Sequence, residues 1–183
     1  MSTLAQTTEA LPTGTWRVDP VHSQVSFAVD YLGGTFRGSF SPVEALLEVD
    51  DAGRARLVGS ARVENVKVQD ENLTAHLLTP DFFDAERTPE IGFASGDLRR
   101  TGSELGAAGE LTIRGITAPI ELSGTIGEPV VDAYGRERFT LTLAGTIDRT
   151  QFGLDWNIPL PSGEPSLAND VTVVADLYFV KGA

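Results

Sequence analysis

The 183-residue chain contains no cysteine. Disulfide bonds, thiolate catalysis and cysteine-ligated metal sites are therefore excluded. Long hydrophobic runs are also missing, because the uncharged apolar stretches are only a few residues long. A membrane-spanning helix needs about 18 consecutive apolar residues. The sequence accordingly predicts a protein without a transmembrane segment.

Basic residues and histidines are scarce. Lys and Arg number 14 against 26 Asp and Glu, which gives a net charge of -12. Since nucleic acid backbones are themselves negative, this excess predicts that nucleic acid is not a partner. The two histidines, His22 and His76, stand in no spacing typical of a metal site or a hydrolase. We therefore predict no metal site and no catalytic residues.

The first ten residues lack the basic segment and the apolar segment of a secretory signal. This predicts a cytoplasmic location. Residues 1–13 are mostly small and polar, which is typical of a flexible tail. The remaining residues, 14–183, have a length suited to one all-β domain.

Most of the chain alternates apolar and polar residues with a period of two. From Val25, apolar side chains fall at Val25, Phe27, Val29 and Tyr31, while the residues between them are polar or small. This pattern is typical of a strand with one buried face. Eight such strands are predicted, over residues 16–31, 36–49, 55–68, 91–98, 105–114, 116–126, 136–147 and 171–180.

A short helical insert interrupts the pattern between the third and fourth strands. Asp70 can cap a helix in which Leu73 and Leu77 share one face, and Pro80 ends it. Eight strands suit a closed antiparallel barrel, which leaves no exposed sheet edge. We expect an interior roughly 25 Å deep along the barrel axis, with the insert at one end.

Several motifs are shared, in order, with one known family. The matching segments are Trp16-Arg17-Val18-Asp19-Pro20-Val21-His22-Ser23, Arg37-Gly38-Ser39-Phe40, Asn72-Leu73 with His76-Leu77, Asp81-Phe82-Phe83-Asp84, Pro89-Glu90-Ile91-Gly92-Phe93, Gly109-Glu110-Leu111-Thr112-Ile113-Arg114-Gly115, and Arg149-Thr150-Gln151-Phe152-Gly153-Leu154. With these segments in this order, the sequence resembles the YceI-like family of lipocalin-like, polyisoprenoid-binding β-barrels.

The resemblance implies a hydrophobic cavity that holds an isoprenoid or another long-chain lipid. It further implies a homodimer, and no catalytic apparatus. No cofactor is expected apart from a bound isoprenoid-type lipid. Many relatives are exported to the periplasm.

Aromatic and aliphatic residues of the predicted inner face, with the two histidines, are the candidate ligand contacts. A barrel filled by its own side chains and a hollow one share the same alternating pattern, so the sequence leaves open which of these residues line a cavity. The predicted ligand-binding residues are His22, Val25, Phe27, Val29, Tyr31, Phe36, Phe40, His76, Phe82, Phe93, Leu111, Ile113, Phe152 and Trp156.

Alternatives remain at three points. His22 and His76 either contact a ligand or satisfy hydrogen bonds of the protein itself. Arg37, Arg114 and Arg149 either pair with a pyrophosphate at the barrel mouth or are simply solvated. For the protein as a whole, the alternatives to lipid binding are a stress-response or protein-interaction barrel with a filled core, and an enzyme that acts on the captured lipid.

Overall fold

The computed structural model describes residues 9–182. Two short 3₁₀ helices, Val63–Asn65 and Arg149–Phe152, and one α-helix, α1 (Glu71–Leu77), accompany the strands of the described chain. The strands are β1 (Gly14–Val18), β2 (Gln24–Tyr31), β3 (Gly34–Phe40), β4 (Glu44–Val49), β5 (Ala55–Arg62), β6 (Val66–Lys67), β7 (Glu90–Thr101), β8 (Glu104–Ile113), β9 (Ile116–Ile126), β10 (Val130–Val131), β11 (Glu137–Asp148) and β12 (Leu167–Lys181).

The strands form a closed antiparallel barrel. Around the ring the order is β11, β9, β8, β7, β5, β4, β1 and β12, and the long β12–β11 ladder closes it. Farther along β12, β2 takes the place of β1, and β3 pairs with β2. The predicted eight-stranded barrel with one short helix is confirmed. Its first two predicted strands are each split in two, into β1 with β2 and β3 with β4.

Local chemistry explains both interruptions. Between β1 and β2 the Ser23 hydroxyl accepts a hydrogen bond from the Tyr178 amide at 2.9 Å, and the Asp19 amide donates to the Tyr178 carbonyl at 2.7 Å. These contacts replace regular ladder bonds, so the chain can bend without leaving buried polar groups unpaired. Between β3 and β4 stands Pro42, which has no amide hydrogen to give to a ladder.

One end of the barrel is solidly packed by aromatic rings. Trp16, Phe139 and Phe179, which we call the aromatic plug, are almost fully buried. The Trp16 and Phe139 ring centroids are 4.7 Å apart, edge to face, and those of Phe139 and Phe179 are 5.3 Å apart, stacked. The rings meet because Trp16 on β1, Phe139 on β11 and Phe179 on β12 all face inward at the same end of the barrel.

The helical insert covers the other end. The Asp70 side chain accepts hydrogen bonds from the amides of Asn72 and Leu73, so it caps α1 as the sequence predicts. Leu77, on the barrel-facing side, is buried. After α1 the chain continues in hydrogen-bonded turns, in which the Thr79 carbonyl accepts from the amides of Phe82 and Asp84.

Residues 1–8 of the predicted tail lie outside the described residues. Residues 9–13 pack on the barrel: the Glu9 amide donates to the Arg100 carbonyl at 2.7 Å, and Leu11 is buried. The Trp16 indole nitrogen donates to the Pro12 carbonyl at 3.0 Å. The described part of this segment is thus held by backbone and side-chain contacts.

Candidate functional site

The half of the barrel next to α1 is hollow. A cavity of about 330 Å³ lies there, and its wall is almost wholly apolar. This volume is at the lower end of the roughly 300–1,000 Å³ found for small-molecule pockets. Tyr31 and Leu73 both line the cavity and are 41% and 43% exposed, so the cavity reaches solvent beside them. We call this region the mouth.

Side-chain size along β12 explains why the barrel is hollow at one end only. From the plug toward the mouth, the inward-facing residues are Phe179, Leu177, Ala175, Val173 and Val171. Leu177 and the three smaller residues line the cavity, whereas Phe179 does not. The expected interior of roughly 25 Å is therefore shortened by the plug.

Twelve of the fourteen predicted ligand-binding residues line this one cavity. They come from β2, β3, α1, the segment after α1, β7, β8 and the loop before β12. Those twelve are Val25, Phe27, Val29, Tyr31, Phe36, Phe40, His76, Phe82, Phe93, Leu111, Ile113 and Trp156.

Two cavity phenylalanines lie over glycines of neighbouring strands. A Cβ built on Gly38 would stand 2.4 Å from the Phe27 ring, and one on Gly109 would stand 3.0 Å from the Phe93 ring. The Phe27 ring therefore excludes a side chain at position 38, and at position 109 the Ala94 carbonyl oxygen, 2.4 Å from the same Cβ, excludes one together with the Phe93 ring. The glycines of two matched motifs thereby shape the cavity wall.

Phe152, by contrast, belongs to the packed core and not to the cavity. It ends the 3₁₀ helix Arg149–Phe152 and is 1% exposed. The sequence pattern identifies it correctly as apolar and buried, but it does not line the cavity.

His22 also lies away from the cavity, at the bend between β1 and β2. Its Nδ1 is 2.7 Å from a carboxylate oxygen of Asp19, which also accepts from Arg138 at 3.1 Å. The hydrogen bond with His22, supported by Arg138, lowers the pKa of Asp19 to about 2. Of the two readings of His22, the structure favours the one in which it satisfies a group of the protein itself.

The Asp19 network predicts a loss of stability in acid. Because the folded pKa of Asp19 lies below its unfolded value of 3.8, the stabilisation is complete above about pH 4 and is lost as the pH falls toward 2. Between pH 6 and pH 2, the free energy of unfolding of Asp19→Asn should therefore fall by about 1 kcal/mol less than that of the wild type. Urea unfolding between pH 2 and 6 measures this difference. Asp51→Asn, in the exposed β4–β5 turn, is the control. A wild-type pH profile in Asp19→Asn would contradict the assignment.

Three rings meet at the mouth. The centroids of His76 and Phe82 are 5.0 Å apart, those of His76 and Trp156 5.3 Å, and those of Phe82 and Trp156 5.2 Å. His76 Nε2 is 3.0 Å from a carboxylate oxygen of Asp81. His76 thus lines the cavity and also satisfies a group of the insert itself, whereas its contact with a ligand stays a prediction.

Two arginines hold the loops that carry these rings. Arg114 donates to the carbonyls of Pro80 and Phe82. Arg149, which is 4% exposed, donates to four backbone carbonyls. The four acceptors of Arg149 are Leu154, Trp156, Leu167 and Ala168.

Burial lowers the pKa of the Arg149 guanidinium from its usual value, although the negative charges of Asp155 and Asp148 oppose this shift. The four carbonyl dipoles solvate its charge in place of water. Arg114 and Arg149 therefore hold loops of the protein in place through hydrogen bonds, an assignment that we call a brace. Arg37, by contrast, is exposed on β3.

Sequence reasoning missed Arg149 as a structural centre and several apolar lining residues. Their common feature is an inward position on a strand, on α1 or in a segment next to them, which the sequence pattern alone marks only as buried. The missed apolar residues include Ala45, Leu57, Ala61, Leu73, Leu77, Phe83, Ile91, Ile120, Leu122, Ile147, Leu154, Val171, Val173 and Ala175.

The cavity offers apolar burial rather than reactive groups. Its polar or charged lining residues are Ser26, Tyr31, Glu44, Ser60, His76 and Arg149. Within residues 9–182, no three His, Asp or Glu side chains come together in a way that could hold a metal ion. In the same described range, no helix is both long and apolar enough to cross a membrane.

Comparison with known sequences identifies relatives of similar length. The family model of the YceI-like domain matches residues 16–179. A UPF0312 protein of Staphylococcus aureus strain USA300 is 27% identical over 168 residues, covering 88% of this chain and 94% of that protein. A UPF0312 protein of Staphylococcus epidermidis strain RP62A is 26% identical with the same coverage.

Solved structures share the fold. BcnA of Burkholderia cenocepacia superposes with a TM-score of 0.73 at 20% identity, covering 88% of this chain and 98% of that one. A polyisoprenoid-binding domain from Saccharophagus degradans, implicated in plant cell wall breakdown, gives a TM-score of 0.68 at 11% identity, covering 91% and 98%. At these identities the likeness establishes the barrel architecture. Together with the family match over residues 16–179, it shows that the chain belongs to the YceI-like domain family.

Proposed function

We propose that the protein binds the apolar chain of an isoprenoid or a similar amphiphilic lipid, as a carrier, a store or a sensor. The observation that carries this proposal is the apolar cavity of about 330 Å³. Polar side chains of Tyr31 and His76 stand at its mouth, where a lipid head group can remain hydrated. The polyisoprenoid-binding domain of Saccharophagus degradans, which has the same fold, supports the choice of ligand class.

The physical basis of affinity is burial of hydrocarbon. Each methylene transferred from water contributes about 0.8 kcal/mol, and these contributions have to exceed the cost of immobilising the chain. A preformed cavity reduces that cost because the protein does not reorganise. We propose binding rather than catalysis, with no metal or organic cofactor other than the lipid.

Binding is tested directly on protein purified without detergent. We expect organic extraction and mass spectrometry to recover a prenyl or other long-chain lipid, and the emptied protein to take up farnesol with a dissociation constant of about 1 μM or lower, measured by calorimetry. If no lipid is retained and neither farnesol nor palmitic acid binds, the proposal is wrong.

Intrinsic fluorescence locates the bound chain. The protein has two tryptophans: Trp156 lines the cavity mouth, whereas Trp16 belongs to the plug and is 1% exposed. Farnesol should therefore change the emission of the wild-type protein, and Trp156→Phe should lose most of that change while still binding farnesol in calorimetry. An unchanged response in Trp156→Phe would place the ligand elsewhere.

The alternative of a protein-interaction or stress-response barrel assumed a filled core. Only the plug end is filled, and the mouth end is hollow. This difference favours lipid binding over that alternative. The homodimer, the cytoplasmic location and the absence of nucleic acid partners stay predictions.

A further inference from the structure

The cavity has an apolar floor at a defined depth. Leu177 and Leu57 line the cavity next to the plug. Phe179 lies two residues beyond Leu177 on β12 and stacks on Phe139, and Leu47, the cross-strand partner of Leu57, lies outside the lining. Leu47, Phe139 and Phe179 are each no more than 2% exposed. Since protein interiors are close-packed, a ligand chain cannot pass this layer without displacing it.

The two ends of the cavity differ in polarity, which sets the direction of a bound amphiphile. Tyr31, His76 and Asp81 give the mouth hydroxyl, imidazole and carboxylate groups. The floor is formed by leucines and, behind them, the plug. An unpaired polar head group at the floor would lose its hydrogen bonds to water, so the head group belongs at the mouth and the chain end at the floor.

The depth of the cavity follows from the strands that run along its wall. On β12, lining residues extend from Leu177 to Val171, six positions away. Val171 pairs with Val29 of β2, and Tyr31 at the mouth lies two positions farther along β2. Eight positions span ~26 Å along a strand, and a tilt of roughly 40° leaves ~20 Å along the barrel axis. One isoprene unit, four carbon–carbon bonds long, extends ~5 Å. The cavity therefore accepts about four units in extended form.

We propose that the aromatic plug limits the bound chain to about four isoprene units. This inference rests on the proposed function and specifies it: the preferred ligands are geranylgeranyl-length lipids, with about 20 carbons. A fifth unit would extend past the mouth into solvent, so it adds little affinity. Phe179 and Phe139 are thereby residues that determine specificity.

The wild-type protein provides the main test. Farnesol, geranylgeraniol and geranylfarnesol carry three, four and five isoprene units on the same hydroxyl head group. Delivered from cyclodextrin and measured by calorimetry, affinity should rise at least tenfold from farnesol to geranylgeraniol and change less than threefold from geranylgeraniol to geranylfarnesol. A further tenfold rise with the fifth unit would overturn the proposal.

Two variants move the floor in opposite directions. Phe179→Ala removes the ring behind Leu177, so geranylfarnesol should then bind at least tenfold more tightly than geranylgeraniol. Leu177→Phe raises the floor, so geranylgeraniol should lose its advantage over farnesol. The second variant adds bulk to a cavity wall and does not depend on the first one folding. Tyr178→Ala, on the exposed outer face of β12, is the control and should retain the wild-type length profile.

The outcomes distinguish a failure of the length limit from a failure of the proposed lipid-binding function. If the alcohols bind but affinity rises with every added unit, the length limit is wrong and the binding function stands. If none of the three binds, the proposed function fails and the length limit fails with it. If Phe179→Ala folds and Leu177→Phe also folds, yet both keep the wild-type profile, the plug does not set the length.

Discussion

Replacing Arg149 with methionine is expected to lower the free energy of unfolding by about 3 kcal/mol. Methionine retains the apolar length of the side chain but has no hydrogen-bond donor. The carbonyls of Leu154, Trp156, Leu167 and Ala168 would lose their partner in a buried setting. Urea unfolding followed by circular dichroism measures the loss.

Arg37→Met is the matched control, because Arg37 is an exposed arginine of β3. It should change the free energy of unfolding by no more than about 0.5 kcal/mol. The free energy of unfolding of Arg149→Lys should lie between those of Arg149→Met and Arg37→Met, because the ammonium group keeps the charge but has fewer donors and a different shape from the guanidinium. If Arg149→Met is as stable as Arg37→Met, the carbonyls are satisfied without the arginine and its assignment as a brace is wrong.

Replacing Ala175 with phenylalanine is expected to weaken farnesol binding at least tenfold. Ala175 lines the cavity on β12, between Val25 of β2 and Leu143 of β11, which also line it. A ring at this position fills the space that the ligand chain needs. Overpacking should cost about 1–3 kcal/mol in stability, so folding is verified by circular dichroism before calorimetry with farnesol.

Thr172→Phe places the same ring on the exposed outer face of the same strand, three residues away. This control should bind farnesol as the wild type does. A folded Ala175→Phe protein with wild-type affinity would show that the lipid binds outside the barrel. Loss of binding in both variants would indicate a general effect of the added ring on β12 instead of occlusion.

The sequence predicts much of the architecture because burial on one face of a strand imposes a period of two. Val25, Phe27 and Val29 show this pattern, and all three line the cavity. The sequence predicts the helical insert equally well, since the Asp70 cap and the Leu73–Leu77 spacing are signals between near neighbours in the chain. His22 is different: its neighbours in the chain do not reveal that Arg138, 119 residues away from Asp19, completes its network.

Arg149 shows why other parts of the site escape sequence reasoning. Its role depends on carbonyls of a loop that returns 5 to 19 residues later, and backbone carbonyls are present at every position of every sequence. Phe152 and Phe93 are both buried or partly buried aromatic residues, yet only Phe93 lines the cavity. Position within the barrel, and not residue type, separates them.

The amino-acid sequence by itself determines that this protein is an antiparallel barrel with a capped helical insert, since periodicity and capping act between near neighbours. Tertiary structure alone decides that Trp16, Phe139 and Phe179 pack into a plug while Val171, Val173 and Ala175 leave a hollow mouth. The physical reason is that filled and empty volumes depend on how side chains from different strands meet at one level of the barrel, which no single stretch of sequence encodes.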